Sequence, residues 1–376
     1  MSTLRGVNVS CMNLHIVTDS SISATFHRNL KAFGLSDNNR LVVRSNNPQL
    51  KYIREDIPFA PLYSSAFNTV VGDTQQYEKV FIHQFSPLMY RWVATHEFKE
   101  LNWMVWGTDL YNLPGIDFNF YEPLTRENYV RKDFSRGTFL FKLKVWLTNS
   151  MFRKKAYAKV NHVMTWMENE YSFAKDHLSS LKAGHQFFFY ENDVPYHKLD
   201  SFLEKSGTTE VRSIPRLIIG NSGTPTNNHL DSIKKLEEQK VHADLVIPVS
   251  YGDKKYIQFL KKNIPAYSGG KIEFVDRFMA FNEYVDFLMD SDGLVMNTLR
   301  PQGYGNIFMM LYLGKSVFLN HQNISLSDLR NNGIAVQDLD TIGSAGSFKG
   351  HHQNKEAILN FFSHDRLEKI YRSMFA

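Results

Sequence analysis

The chain reads as an α/β protein built from two doubly wound, Rossmann-like domains facing each other across a cleft. Three observations predict this. Short apolar runs alternate with helical patterns along most of the length, and polar or glycine-containing loops follow the runs. A length of 376 residues also exceeds what one hydrophobic core usually supports. An apolar content of 43% beside 22% charged residues fits a packed chain rather than a disordered one.

In the first half the strand candidates are Met12–Thr18, Arg40–Val43, Lys79–Gln84, Asn102–Trp106 and His162–Trp166, followed by an aromatic run at His185–Tyr190. The stretch Thr138–Lys159 is helical in pattern and basic, with Lys142, Lys144, Arg153, Lys154, Lys155 and Lys159. Its Phe152–Lys159 portion interleaves aromatic and cationic side chains. That face suits anionic lipid headgroups, and it suits plain solvation equally well. The polar region Glu191–Arg212 is read as containing the domain crossing.

The second half alternates more cleanly. Strands are expected at Arg216–Ile219, Ala243–Pro248, Lys271–Phe274, Gly293–Met296 and Ser316–Leu319. Helices are expected at Asn228–Glu238, Lys254–Asn263, Phe281–Ser291, Gly305–Leu313 and Ser325–Asn332. A last helical pattern, Lys355–Met374, is expected to pack back on the first domain.

Composition narrows the function. A formal charge of +5 favours anionic small molecules or an anionic membrane over nucleic acid. Aromatics at 14% suit a surface that handles sugars or lipid. The single cysteine, Cys11, excludes an internal disulfide and a cysteine zinc site and agrees with a reducing compartment. No window is long and apolar enough to span a bilayer, and the first twenty residues do not read as a signal peptide. The expected location is the cytoplasm, with peripheral contact to the inner membrane face left open.

The chemistry is concentrated in three loops of the second half. In Arg216–His229, RLIIGNSGTPTNNH, a strand empties into small and amide residues just before a helix. Gly220 and Gly223 permit backbone angles that let amides converge on an anion, Asn221 and Ser222 add polar groups, and Asn227 or Asn228 is placed to cap the helix. The second loop, Pro248–Gly252, offers the Ser250 hydroxyl and a Tyr251 ring able to lie against a nucleobase or ribose. The third, Asn297–Asn306, supplies the Arg300 guanidinium, the neutral donors Gln302 and Asn306, and the close-approach positions Gly303 and Gly305 at a helix N-terminus. An ordinary βα turn explains any one of these loops; three at successive strand ends are harder to explain as coincidence.

The loops contain no Walker A lysine and no Asp-x-Asp, and the first strand opens no GxGxxG turn. The expected ligand is therefore the diphosphate of a sugar nucleotide, with no cofactor and no metal. Residues 206–355 would bind it, residues 1–205 would bind the acceptor, and residues 356–376 would form the returning helix. In the first domain Asp109, in the loop after an aromatic strand, is the leading candidate base, with Trp106 and Tyr111 flanking a sugar ring. His83 is the rival base and Asp19 a third candidate for substrate contact. The Glu168 and Glu170 pair fits helix capping about as well as ligand contact, and His351 and His352 are read as solvent-facing.

These motifs resemble the bacterial TDP-N-acetylfucosamine:lipid II N-acetylfucosaminyltransferases, glycosyltransferase family 56. Trp106-Gly-Thr-Asp-Leu-Tyr111, Gly220-Asn-Ser-Gly-Thr-Pro-Thr-Asn-Asn-His229, Val249-Ser-Tyr251 and Gln302-Gly-Tyr-Gly305 carry the resemblance. It implies a GT-B fold and transfer of a fucose-like deoxy or deoxy-amino sugar to a polyprenyl-linked saccharide in surface-polysaccharide synthesis. It further implies that Gly220, Asn221, Ser222 and Asn228 lie near the donor diphosphate with Gln302, Gly303 and Gly305. A sugar-nucleotide epimerase or phosphorylase, or a non-catalytic nucleotide-sugar-binding module, remain the competing readings of the residues themselves.

Overall fold

The computed structural model describes residues 12–111, 119–131, 143, 151–191, 194–205, 213–344, 348 and 350–376. Cys11 and residues 138–142 and 144–150 of the expected basic helix lie outside the described residues, as do 192–193 and 206–212 of the expected crossing. The chain forms two compact units: Met1–Asp117, Gly137–Glu191 and Ser363–Ala376 make the first, and Phe118–Arg136 with Asn192–Phe362 makes the second.

The first unit holds a seven-stranded, wholly parallel sheet: β1 (Asn13–Thr18), β2 (Asn39–Arg44), β3 (Phe59–Ala60), β4 (Val80–His83), β5 (Leu101–Met104), β6 (His162–Thr165) and β7 (Gly184–Phe187), in the order β3-β2-β1-β4-β5-β6-β7. The second holds six parallel strands: β8 (Arg216–Ile219), β9 (Asp244–Pro248), β10 (Ile272–Val275), β11 (Gly293–Met296), β12 (Ser316–Leu319) and β13 (Gln337–Asp338), in the order β10-β9-β8-β11-β12-β13. In each sheet the winding reverses beside the first strand. Loops at the carboxyl ends of neighbouring strands there diverge to opposite faces and leave a crevice. The two-residue edge strands β3 and β13 are too short to show any period in sequence.

Apolar strands buried on both faces drive each sheet. In the second unit Leu217, Ile219, Leu245, Ile247 and Val295 pack against Leu230, Ile233 and Leu236 of the helix His229–Glu238 and against Tyr256 and Leu260 of Lys254–Lys262. In the first unit the core is strongly aromatic: Phe81 stacks on His15 at 4.6 Å, and Phe375 meets both rings at 5.0 and 5.1 Å.

Two expectations change. The single helix expected over 355–374 is two, Gln353–Phe361 and His364–Phe375, and only the second belongs to the first unit. Its Leu367, Tyr371 and Phe375, four residues apart, form the buried stripe. A division at 205/206 also differs from the units found. The helix Tyr196–Lys205 is held in the second unit, where Asp200 accepts from Tyr312 at 3.0 Å and pairs with Lys355 at 2.8 Å. Residues 119–131 are held there as well: Asp231 accepts from the Leu124 and Thr125 amides (2.7 and 2.9 Å) and from the Thr125 hydroxyl (2.7 Å). No described helix is long and apolar enough to cross a membrane.

Candidate functional site

In the second unit the three loops expected from sequence are hydrogen-bonded into one bed at the carboxyl ends of β8, β9 and β11. Gln302 donates to Asn221 Oδ1 at 3.1 Å and accepts from Thr226 at 2.7 Å, joining the third loop to the first. Asn221 Nδ2 donates to the Tyr251 hydroxyl at 3.2 Å, joining the first to the second. Asn227 folds the first loop on itself by donating to the Ser222 carbonyl (2.8 Å) and the Thr224 hydroxyl (3.0 Å).

Glycine is needed where the chain turns. Gly220 sits at φ +71°, and a side chain there would come within 2.7 Å of His229 Nε2. Gly303, at φ +70°, is the N-cap of the helix Tyr304–Tyr312, whose first amides have no intrahelical acceptor. Gly305 differs, because a Cβ there would meet nothing within 4 Å.

Beside this bed lies a cavity of about 350 Å³ with an aromatic wall of Tyr251, Phe278, Phe281 and Tyr284 and polar groups from Asn221, Ser250 and Asn306. Phe278, 87% exposed, joins the exposed Tyr251 and Phe281 in lining it, and a contiguous exposed apolar patch, unlike a lone ring, marks an interface or ligand site. The sequence reading found Tyr251 but missed the other three rings. They flank or begin the helix Phe281–Met289, where an aromatic reads as core.

Several expected ligand residues serve the loops instead. Asn228 is fully buried; its Oδ1 accepts from the Glu122 amide at 3.0 Å and its Nδ2 donates to the Asn297 carbonyl at 2.8 Å. It occupies the helix N-cap position with φ +50°, yet its side chain caps nothing, so it locks three segments together rather than meeting a diphosphate. Ser222 is buried, with its hydroxyl 3.1 Å from that of Thr224. Gly223 pairs with Gly252, where a Cβ on Gly252 would collide with the Gly223 carbonyl; this is a close backbone approach, not an anion contact. Arg300 is half-buried, and its charge opposes the upward push that burial gives the Tyr121 hydroxyl.

Glu122, unremarkable in sequence, is placed at this same sheet end by the segment 119–131. Its carboxylate accepts from Asn320 Nδ2 at 2.7 Å and lies 3.7 Å from Lys235 Nζ. Ligand atoms of His321, just after β12, and of Asp338 and Asp340 at β13 converge in space, but Asp340 already pairs with Lys235 at 3.2 Å and with His321 at 2.5 Å.

In the first unit the expected acceptor residues are more constrained than the sequence suggested. Asp109 is 2% exposed. One oxygen accepts from the Phe85 amide (2.7 Å) and Trp103 Nε1 (2.6 Å), the other from the Trp106 amide (2.9 Å). Burial pushes its carboxyl up, and those three donors pull it back. A carboxylate so enclosed holds two loops in place; it has no face left for an acceptor hydroxyl. His83, the rival base, is also fully buried, between Tyr190 and His15. Asp19 accepts from the amides of Lys51, Tyr52 and Ile53 at 2.5 to 3.1 Å and ties down that loop. Tyr111 is buried and donates to Glu170 at 3.0 Å, so neither flanks an open site. Trp106 stays half-exposed, edge-on to Tyr190 at 5.9 Å. His351 and His352 are exposed, as read.

Comparison with known proteins adds the chemistry. Residues 138–367 match the family described as 4-alpha-L-fucosyltransferase, glycosyl transferase group 56. Among solved structures the chain is similar to sucrose-phosphate synthase from Thermosynechococcus elongatus (11% identity, 97% of this chain and 99% of that one, TM-score 0.54). It is similar to a UDP-forming alpha,alpha-trehalose-phosphate synthase from Burkholderia vietnamiensis (8%, 97% and 98%, 0.54). Anabaena HepE, solved in complex with UDP, matches at 11% identity over 96% of this chain and 99% of that one, TM-score 0.56. At such identities these likenesses speak for the fold, which is of the GT-B type.

Proposed function

The chain belongs to the 4-alpha-L-fucosyltransferase family, glycosyl transferase group 56, and is a glycosyltransferase; on that premise we propose that it moves a fucose-like deoxy or deoxy-amino sugar from a nucleotide diphosphate to a lipid-linked saccharide in surface-polysaccharide synthesis. The observation that carries the donor assignment is the Gln302–Asn221–Tyr251 cross-link, which makes one bed of three loops. The base stacks in the aromatic cavity. The diphosphate rests on the turn at Gly220–Asn221 and on the N-terminus of Tyr304–Tyr312, with Gln302, Asn306 and Arg300 as side-chain donors.

As the glycosidic bond to the donor breaks, negative charge grows on the departing diphosphate. Backbone amides and a helix terminus already oriented toward it stabilise that charge more in the transition state than in the ground state. The donors offered to the diphosphate are backbone amides, neutral side chains and one guanidinium, and in this reading they, rather than a metal ion, stabilise the leaving group. The acceptor is handled by the first unit, where Asp109 acts as a positioning residue that fixes the Phe85 and Trp106 loops. The exposed Lys154 and Lys155, beside Met151 at 79% exposure, support contact with an anionic membrane surface at which a lipid-linked acceptor would be met.

The test is a panel of nucleotide-diphosphate sugars offered with polyprenyl-diphosphate saccharides, read by product mass. A product heavier by one deoxyhexose or deoxy-amino hexose is the expected result; absence of transfer from every donor would overturn the reading.

A further inference from the structure

We infer that Glu122 is a binding residue for the sugar ring of the donor, an inference that rests on the donor site proposed above. The second unit contains a continuous hydrogen-bonded track. It starts at Tyr251 in the aromatic cavity and passes to Asn221, then Gln302, then Thr226. From Thr226 it runs through the carbonyl to Asn228 Nδ2 at 3.4 Å, and from Asn228 Oδ1 to the amide of Glu122 at 3.0 Å. The chemical character changes along it in a definite order: an aromatic end, a middle of glycines, amides and a helix terminus, and a carboxylate end. A nucleotide sugar has the same order, with a planar base, a diphosphate and a hydroxyl-rich ring.

The carboxylate end is built rather than incidental. Asn320 Nδ2, itself fully buried, donates to Glu122 Oε1 at 2.7 Å and to Asn297 Oδ1 at 2.6 Å, so Glu122 is oriented by a fixed amide. Lys235 approaches the same oxygen at 3.7 Å and offsets its charge. Glu122 Oε2 receives no hydrogen bond from any described residue, and the side chain keeps 14% of its surface exposed. An oriented carboxylate with one oxygen open accepts from a ring hydroxyl or amide N–H, and cannot serve the anionic diphosphate. The ligand class is therefore the hexose part of the donor, bearing a donor group within reach of the open oxygen.

The experiment compares each protein's dissociation constants for a free nucleoside diphosphate and for the matching nucleotide hexose. TDP, UDP and GDP and their hexose conjugates are the probes, and the pair that the unaltered protein binds most tightly is carried forward. Glu122→Gln keeps the shape and removes the charge. The expected result is a rise of about tenfold or more in the constant for the nucleotide hexose, with that for the free diphosphate changed less than twofold. If Glu122→Gln lowers the melting temperature, Glu122→Asp is read by the same ratio. A ratio unmoved in both variants overturns the inference. Failure of the unaltered protein to bind any nucleoside diphosphate would instead overturn the donor site on which it rests.

Discussion

His83 Nε2 lies 3.1 Å from His15 Nδ1 at the centre of the first unit, and the residues beyond them set the direction of that hydrogen bond. Asn39 donates its amide to the carbonyls of Leu35 and Phe375, both at 2.8 Å, so its oxygen faces His15 Nε2 at 2.9 Å. His15 Nε2 must then carry the proton, His15 Nδ1 accepts from His83 Nε2, and His83 Nδ1 accepts from the Tyr190 hydroxyl at 2.8 Å. Each ring is neutral. A second proton on His15 would set two donors face to face in a dry core, and one on His83 Nδ1 would force the Tyr190 hydroxyl to turn from donor to acceptor. Burial accordingly lowers His15 to about 4 and His83 well below its ordinary value.

Acid should therefore unfold the protein early. A neutral buried histidine binds its proton only below its lowered folded value, whereas the unfolded chain takes one up near 6.5. Stability is thus complete above pH 6.5 and falls as pH drops toward about 4, by on the order of 1.4 kcal/mol per pH unit for each such histidine. Buried His229, lowered to about 3, adds to the slope. Urea melts from pH 7.5 to 5 should show it, and a midpoint independent of pH over that range would contradict the neutral relay.

Replacing Asp109 by Asn puts an amide group where three donors converge. One N–H must then face another, a loss of about 1 to 3 kcal/mol. We expect a lower melting temperature and impaired transfer, while nucleoside diphosphate affinity, which depends on the second unit, stays within twofold. A variant of undiminished stability with abolished transfer would instead restore Asp109 as a base.

Two glycines of the donor bed should behave oppositely. Gly220→Ala forces a side chain into a positive-φ turn against His229 and Asn227, and should cost more than about 1 kcal/mol of stability. Gly305→Ala is helical and unobstructed, so the fold should be unharmed or gain about 0.5–1 kcal/mol. If the diphosphate approaches this helix end, the added methyl weakens donor binding all the same. Calorimetry paired with nucleotide titration separates the two effects, and tight binding by the Gly305→Ala protein would move the diphosphate elsewhere.

Phe278 is exposed, so Phe278→Ala should leave the melting temperature unchanged. Stacking with a base is worth roughly 1–3 kcal/mol, hence about a five- to 150-fold loss of nucleoside diphosphate affinity, while inhibition by inorganic pyrophosphate should persist. Equal losses for both probes would argue against a base in the aromatic cavity.

Much of this architecture was legible in the chain. The strands Arg216–Ile219, Gly293–Met296 and Ser316–Leu319 coincide with their apolar runs because buried parallel strands are continuous hydrophobic segments. The three polar loops were recognisable by glycine and amide content at successive strand ends. The roles within them were not. Asn221 and Asn228 look alike in GNSGTPTNN, yet one faces the cavity and the other is sealed beneath the loop. Asp109 and His83 stand at strand ends as a base would, but exposure is a property of packing from other strands.

Local pattern thus determined where strands, helices and turns form, because backbone sterics and apolar periodicity act over a few residues. It also determined the family, through a long contiguous motif. Only the tertiary structure decided which polar groups remain open. Whether a carboxylate or amide has spare lone pairs depends on donors brought from far along the chain, as Phe85 is to Asp109, and Asn320 is to Glu122.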